Sequence, residues 1–363
     1  MKRLVSLLIL AICAMTASAA DITEEVVYAH RDSLDIYGLM YKPAGQTNLP
    51  IVICSHSSSL THKAMKGYAQ KIAQQGYAAY CFDFCGGSSE SLSGGSTDSM
   101  TVFTEVEDLK SVVAMVKTLD YVDTTKIVLL GSSQGGLVSS LLAEDIPNEI
   151  ASMVLFYPAY NIPELVNMFS GLGNGSSWGD GSWGGGSWGD GSWGGGSWGG
   201  GSWGGGSWGD GFGGMMSMSD AFVNSIKDFD VWSHIGTFPK PVCIVHGTSD
   251  FIVPISNSEK AVGLYPDAQL HPIEGANHGF NADNLGSMGS MMGSQADYDN
   301  QVMPIVYQFL SEHIAAGITN PKASNDNDDA IYELKGMRIS SPRHGEIYIK
   351  GGKKIIQCSP RGL

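Results

Sequence analysis

The feature that most constrains the fold is a strand-like run that leads directly into a glycine-rich turn and a helix-like segment. The run Lys126-Ile-Val-Leu-Leu precedes Gly131-Ser-Ser133-Gln-Gly135. Apolar residues at i,i+4 spacing from Leu137 to Ala143 then predict a helix. A G-x-S-x-G turn in this setting projects the hydroxyl of Ser133 above the sheet. Gly131 and Gly135 leave the room that such a crowded turn needs.

Serine is a weak nucleophile unless a base takes its proton, so the motif predicts partners elsewhere in the chain. The apolar run that begins at Pro241 ends in Asp250, and the run that begins at Gln269 ends in His278. The order Ser, Asp, His is the one that accompanies this turn. We therefore predict Ser133 as nucleophile, His278 as general base and then acid, and Asp250 as the group that orients the imidazole.

Other residues compete for these roles. Asp250 could instead cap a helix over Pro254 to Leu264. Asp228 and Asp230 are rival acids, although they precede the strand-like run. His246 lies inside that run, which favours a packed side chain over a catalytic one.

Stabilisation of a tetrahedral intermediate needs two backbone donors. One is the N–H after the nucleophile, that of Gln134, and the other normally comes from the loop after the third strand. The strand-like run from Pro50 to Ser55 supplies that loop, and we predict Ser58 as its donor. His56 is interpreted as a buttress of the loop.

Several motifs together resemble the α/β-hydrolase superfamily, and within it the bacterial feruloyl (cinnamoyl) esterase-like branch. The similarity covers roughly residues 25–165 and 220–315. It is carried by Phe82-Asp-Phe-Cys-Gly86-Gly-Ser-Ser-Glu-Ser, Thr104-Glu-Val-Glu-Asp108-Leu, Gly131-Ser-Ser-Gln-Gly-Gly136, His246-Gly-Thr-Ser-Asp250-Phe-Ile-Val-Pro-Ile-Ser and Glu274-Gly-Ala-Asn-His278-Gly-Phe.

The alternation of strand-like and helix-like segments predicts an α/β protein with a mostly parallel, doubly wound sheet and helices on both faces. The resemblance makes this an α/β-hydrolase fold. It implies hydrolysis of hydroxycinnamoyl esters of plant cell-wall polysaccharide, without a metal or organic cofactor. An acetyl or short-chain acyl esterase, a thioesterase and a serine peptidase share the same triad and stay open as alternatives.

The region that forms a lid in such relatives, residues 161–227, contains a low-complexity insert here. Residues 175–211 repeat Gly-Ser-Trp-Gly-(Gly/Asp), with tryptophans at 178, 183, 188, 193, 198, 203 and 208. Glycine makes ordering costly in backbone entropy, which favours an expanded tract without regular structure. An aromatic flap that stacks on sugars or phenolic rings is the functional reading. A non-enzymatic surface protein that binds carbohydrate through this array is the alternative from another function class.

Segments at both ends predict export. Lys2-Arg3, the apolar stretch from Leu4 to Met15 and Ala17-Ser-Ala-Ala20 are typical of a signal peptide, residues 1–20. We divide the rest into a catalytic domain (21–317), a polar linker (318–329) and a β-rich tail (330–363). The tail resembles the sorting tails of type IX secretion cargo, which implies secretion machinery as a partner. The predicted location is periplasmic, cell-surface or extracellular.

Charge argues against several other partners. The chain has 21 basic and 36 acidic residues and a net charge of −15. Such an acidic chain is a poor match for nucleic acid or an anionic membrane. Apart from the signal peptide, no stretch predicts a membrane span. The cysteines show neither a disulfide framework nor a zinc pattern.

Overall fold

The computed structural model describes residues 21–172, 218–280 and 298–314, together with the short strands of residues 331–333, 338–339, 347–350 and 353–356. The predicted signal peptide, the Gly-Ser-Trp tract and the polar linker lie outside these residues. The chain divides between Gly317 and Ile318 into two compact units. Within the described residues, no helix is long and apolar enough to cross a membrane.

The first unit is built on an eight-stranded sheet in the order β1-β2-β4-β3-β5-β6-β7-β8. Strands β1 and β2 form an antiparallel hairpin, β2 pairs antiparallel with β4, and the remaining pairs are parallel. The strands are β1 (Ile22–Arg31), β2 (Leu34–Pro43), β3 (Leu49–Ser55), β4 (Ala78–Phe82), β5 (Val122–Ser132), β6 (Ser152–Phe156), β7 (Val242–Gly247) and β8 (Ala268–Ile273). This arrangement confirms the predicted mostly parallel sheet.

Helices follow most of the parallel strands. They are α1 (His62–Ala73), α2 (Val102–Val116), α3 (Gln134–Asp145), α4 (Ile162–Leu172), α5 (Asp220–Ile226), α6 (Ser256–Val262) and α7 (Asp299–His313). A short 3-10 helix, Val231–Ser233, precedes β7. Helices α4 and α5 lie within the region predicted as a lid and flank the undescribed tract.

Two hydrophobic cores form because successive side chains of a strand point to opposite faces of the sheet. Ile51 and Ile53 of β3 join one core, whereas Val52 and Cys54 join the other. The first core includes the apolar faces of α2 and α3, and the second includes those of α1 and α7. Strand β3 is buried along its whole length, as expected for a strand covered on both faces.

One boundary difference from the sequence concerns the segment around Ser133. Strand β5 runs through Ser132, and α3 begins at Gln134 rather than at Leu137. The periodicity of apolar residues does not reveal the first turn of α3, because Gly135 and Gly136 have no side chain that could contribute to it. Both glycines are needed for close packing, since a Cβ on Gly136 would lie 2.9 Å from Cβ of Pro158.

The second unit contains a small antiparallel sheet in the order β10-β9-β11-β12. Its strands are β9 (Ile331–Glu333), β10 (Arg338–Ile339), β11 (Ile347–Lys350) and β12 (Lys353–Ile356). The prediction of short strands in the tail is therefore confirmed.

Candidate active site

The nucleophile candidate lies on a strained turn between β5 and α3. Ser133 has φ 52° and ψ −116°, a backbone conformation that non-glycine residues rarely adopt. Such a conformation raises the free energy of the folded state by on the order of 1–3 kcal/mol and persists only where the surrounding structure holds it. Here the N–H of Ser133 donates to the carbonyl of Phe156 at 2.9 Å, and its own carbonyl accepts from Gly136 and Leu137.

The two predicted glycines make this turn sterically feasible. A Cβ on Gly131 would lie 2.2 Å from the carbonyl oxygen of Gly135. A Cβ on Gly135 would lie 2.5 Å from the carbonyl oxygen of His56. Both contacts are with backbone atoms, which cannot rotate away. Gly131 and Gly135 therefore allow β5, α3 and the loop after β3 to meet below Ser133.

The structure brings Ser133, His278 and Asp250 into one hydrogen-bonded chain. His278 Nε2 lies 3.1 Å from Ser133 Oγ, and His278 Nδ1 lies 2.7 Å from Asp250 Oδ2. All three side chains are largely buried. This geometry assigns the Nδ1–H tautomer to His278, which leaves Nε2 free to accept the serine proton.

The loops that carry Asp250 and His278 are tied together by backbone contacts. Thr248 N–H donates to Ile273 at 3.0 Å, and Ser249 N–H donates to Ala276 at 2.9 Å. A Cβ on Gly247 would lie 2.2 Å from the carbonyl oxygen of Ala276. The two loops therefore hold the acid and the histidine at a fixed separation.

Asp250 is held as a carboxylate by several donors. Its Oδ1 accepts from the N–H groups of Ile252 and Val253, both at 2.9 Å. Burial by itself would raise the pKa of Asp250, but His278 and His246 outweigh burial and hold this pKa below its usual range. These two N–H groups precede α6, so Asp250 closes a local turn and does not cap that helix. Its second oxygen remains directed at His278.

His246 takes part in the acid site, which sequence analysis missed. Its Nε2 lies 2.8 Å from the carbonyl oxygen of Val253 and 3.3 Å from Asp250 Oδ2. Its Nδ1 lies 2.7 Å from Ser258 Oγ. The carbonyl requires Nε2 to be the donor, so Ser258 donates to Nδ1 when the ring is neutral. The predicted packing of His246 is observed, but its N–H also points to the carboxylate.

The predicted oxyanion donors line a common pocket with the triad. Ser58 follows β3 and Gln134 begins α3, and both border the pocket beside Ser133. Among the described residues, neither backbone N–H donates to a protein acceptor. His56 buttresses the loop, with Nδ1 2.8 Å from the carbonyl of Ser57 and Nε2 accepting from the N–H of Phe84 at 3.2 Å. Burial lowers the pKa of His56, which favours the neutral ring that this pairing requires.

Beyond these polar groups, the pocket is apolar. Its lining comes from the loop after β3, the start of α4, α5 and the turn after Asp250. The apolar lining residues are Leu60, Ala159, Ile162, Leu165, Val166, Met218, Phe222, Ile252 and Val253. For Met215, Met216 and Met218 the sequence favours adaptable pocket lining and loose core packing equally. Met218 lies in the pocket and also packs against the first core, and Met215 and Met216 fall outside the described residues.

Two further side chains were not predicted from sequence. The Tyr157 ring packs against His278 with a centroid separation of 4.5 Å, from a backbone with φ 38°. Glu105 of α2 is buried and accepts a hydrogen bond from Gln134 Nε2 at 2.7 Å. Glu105 occupies a position on the apolar face of α2, and a carboxyl in such a position is the sequence signal that could have revealed it.

The rival acids Asp228 and Asp230 lie before the 3-10 helix, whereas His278 pairs with Asp250.

Comparisons with known proteins agree with this architecture. Residues 46–176 match a family model described as serine aminopeptidase, S33. The quorum-quenching protein AidA of Acinetobacter baumannii is 27% identical over 118 residues, which is 32% of this chain and only 37% of that relative. Est1E from Butyrivibrio proteoclasticus, solved with ferulic acid, is 22% identical with a TM-score of 0.58 over 80% of this chain and 99% of its own. The α/β hydrolase GrgF from Penicillium sp. sh18 is 16% identical with a TM-score of 0.56 over 81% of this chain and 99% of its own.

The sheet order, the placement of Ser133 between β5 and α3 and these structural matches lead to one conclusion. The chain has the α/β-hydrolase fold.

Proposed function

We propose that this chain is a serine hydrolase that cleaves carboxylic esters through an acyl-enzyme on Ser133. The observation that carries the proposal is the continuous chain of hydrogen bonds from Ser133 through His278 to Asp250, beside a pocket that Ser58 and Gln134 also line. A nucleophile bonded to a base, which is bonded in turn to an orienting acid, is the arrangement that activates a serine hydroxyl.

The chemistry runs in two halves. Ser133 Oγ attacks the ester carbonyl while His278 Nε2 takes its proton, and the carbonyl electrons move onto the oxygen. The N–H groups of Gln134 and Ser58 donate to that oxyanion, and Asp250 stabilises the imidazolium. His278 then protonates the leaving alcohol as the C–O bond breaks. Water repeats the sequence on the acyl-enzyme, releases the carboxylic acid and restores Ser133.

The shape and chemistry of the pocket favour an ester over a peptide with a free amino terminus. Recognition of an ammonium group in a buried site calls for a carboxylate partner. Among the described lining residues, none carries a carboxylate. Apolar side chains from α4 and α5 instead suit the acyl part of an ester, whose burial is favoured by the hydrophobic effect.

For the acyl group, we propose a hydroxycinnamoyl unit from plant cell-wall polysaccharide, with short-chain acyl esters and thioesters as alternatives. The sequence motifs of the feruloyl esterase-like branch support this choice, and so does the fold shared with Est1E, which was solved with ferulic acid. The predicted signal peptide and the resemblance of the tail to sorting tails support export, so we propose a periplasmic, cell-surface or extracellular location.

A substrate panel tests the proposal. We expect hydrolysis of methyl ferulate and p-nitrophenyl butyrate by the wild-type protein and little release from aminoacyl-proline anilides. Ser133→Ala removes the nucleophile and should lower kcat on both esters by several orders of magnitude, because the triad acts as a unit. Binding of feruloylated polysaccharide by a wild-type protein that hydrolyses no ester would instead support the carbohydrate-binding alternative.

A further inference from the structure

A buried carboxyl group lies directly behind one of the two oxyanion donors. Glu105 is 1% exposed and its Oε2 accepts a hydrogen bond from Gln134 Nε2 at 2.7 Å. Gln134 is itself only 2% exposed and borders the pocket beside Ser133. The two side chains connect α2 to the first residue of α3.

The surroundings of Glu105 favour the uncharged acid. Among the described residues, its carboxyl forms no salt bridge and accepts a hydrogen bond only from Gln134. Asp108, one turn further along α2, is the charged group that acts on it, and Asp108 is paired with Arg31 and with the N–H of Cys85. Burial raises the pKa of Glu105 to about 8, because it outweighs the hydrogen bond from Gln134, which lowers this pKa; Asp108 adds a smaller contribution in the same direction as burial.

The contact matters for catalysis because Gln134 begins α3 immediately after the strained Ser133. The direction of its N–H depends on the orientation of that first residue, and donors to an oxyanion act only within a narrow range of geometry. A buried side chain that is anchored by a hydrogen bond of 2.7 Å restricts this orientation. The sequence pattern also marks the position, because Glu105 lies on the same buried face of α2 as Val102, Leu109 and Val112.

We propose, on the basis of the function proposed above, that Glu105 is a positioning residue for the oxyanion hole and performs this role as a neutral carboxylic acid. Its hydrogen bond to the Gln134 side chain orients the backbone N–H of Gln134 toward the reacting carbonyl.

Ionisation of Glu105 should oppose catalysis. A negative charge behind Gln134 would face the oxyanion that forms in the transition state, in a setting where charge interactions are poorly screened. Glu105 therefore predicts a loss of kcat on the alkaline side, near pH 8.

The experiment compares three variants on p-nitrophenyl butyrate between pH 6 and pH 9.5. Glu105→Leu removes the hydrogen bond and should lower kcat about 10- to 100-fold. This loss is smaller than the loss that follows removal of a whole oxyanion donor, because the N–H of Gln134 is still present. KM should change less than threefold. Glu105→Gln keeps a hydrogen-bonding partner that cannot ionise, so its kcat at pH 7 should stay within about threefold of wild type. Its alkaline decline should disappear. The control Glu107→Gln lies on the exposed side of α2 and should behave as wild type.

Thermal melting verifies that each variant is folded. An alkaline decline that persists unchanged in Glu105→Gln, or a folded Glu105→Leu with wild-type kcat, would overturn the role of Glu105. Failure of the proposed function looks different, because the wild-type protein would then hydrolyse no ester at any pH.

Discussion

At the residue scale, the site depends on buried polar groups whose partners are supplied by different loops. Asp250 is stabilised by two backbone N–H groups and two histidines, and His278 is held between Asp250 and Ser133. Leaving any one of these buried groups without its partner costs more than the hydrogen bond gains. Such interdependence fixes the rotamers that the proposed reaction needs.

Glu105 also makes the stability of the fold depend on pH. Its ordinary pKa of 4.5 is raised to about 8 in the folded chain. Between these values the folded state holds a proton that the unfolded state has released, so the free energy of unfolding contributed by Glu105 falls as pH rises through this window. We expect Glu105→Gln to remove that slope, roughly 1.4 kcal/mol per pH unit.

Chemical denaturation at pH 5, 6, 7 and 8 measures this effect. The difference in unfolding free energy between Glu105→Gln and wild type should grow in favour of the variant as pH rises. The exposed Glu107→Gln provides the baseline, with a constant difference. A flat difference for Glu105→Gln as well would show that Glu105 ionises normally.

At the element scale, the turn between β5 and α3 is the part of the fold that tolerates least change. Gly135→Ala places a Cβ 2.5 Å from the backbone of His56 and 2.6 Å from that of Ser55. The loop after β3 must then shift, and with it Ser58, the proposed second oxyanion donor. We expect a lower melting temperature and a loss of kcat of at least tenfold, since displaced donors no longer meet the oxyanion.

Gly67→Ala is the matched control. Gly67 lies in α1, and a Cβ there would meet nothing within 4 Å. Alanine in an exposed helix position stabilises by about 0.5–1 kcal/mol relative to glycine, so this variant should melt higher and keep full activity. Equal behaviour of the two glycine variants would contradict the packing described for the turn.

Most elements of the first unit could be predicted because their pattern is local. The run before Ser133 reads as a buried strand, and the spacing in α2 and α7 reads as helices. The order of Ser133, Asp250 and His278 along the chain, with each residue after an apolar run, predicted which side chains meet at the sheet edge. The structure places them within hydrogen-bond distance.

The site residues that the sequence did not reveal are brought together by packing between distant parts of the chain. Glu105 and Gln134 are 29 residues apart and meet only because α2 packs against α3. His246 resembled an ordinary core residue because the carbonyl and hydroxyl that orient it belong to the loop and helix after β7. Tyr157 contacts His278 through a positive φ that no local pattern signals. Such contacts follow from the fold and not from spacing.

At the scale of the whole molecule, the repeat tract is inserted between two helices that already contact each other. Asn167 of α4 donates to the carbonyl of Lys227, just after α5, at 2.9 Å. A deletion that joins Asn174 to Phe212 removes no residue of either helix. Because closure entropy grows only with the logarithm of loop length, the shorter connection should change stability little.

We expect this deletion to preserve hydrolysis of p-nitrophenyl butyrate. If the tryptophans stack on polymer or phenolic rings, KM for feruloylated polysaccharide should rise while kinetics on the small ester stay constant. Equal kinetics on both substrates would assign the tract no part in substrate binding. Loss of activity on both would make it part of the working lid.

The central claim is that Ser133 is an activated nucleophile, and covalent labelling tests it most directly. A fluorophosphonate reacts with a serine only when a base removes its proton. Peptide mass spectrometry of the labelled wild-type protein should find the phosphonyl adduct on Ser133, and folded His278→Ala should label far more slowly. An adduct on a different serine, or no adduct on a protein that still hydrolyses esters, would contradict the account.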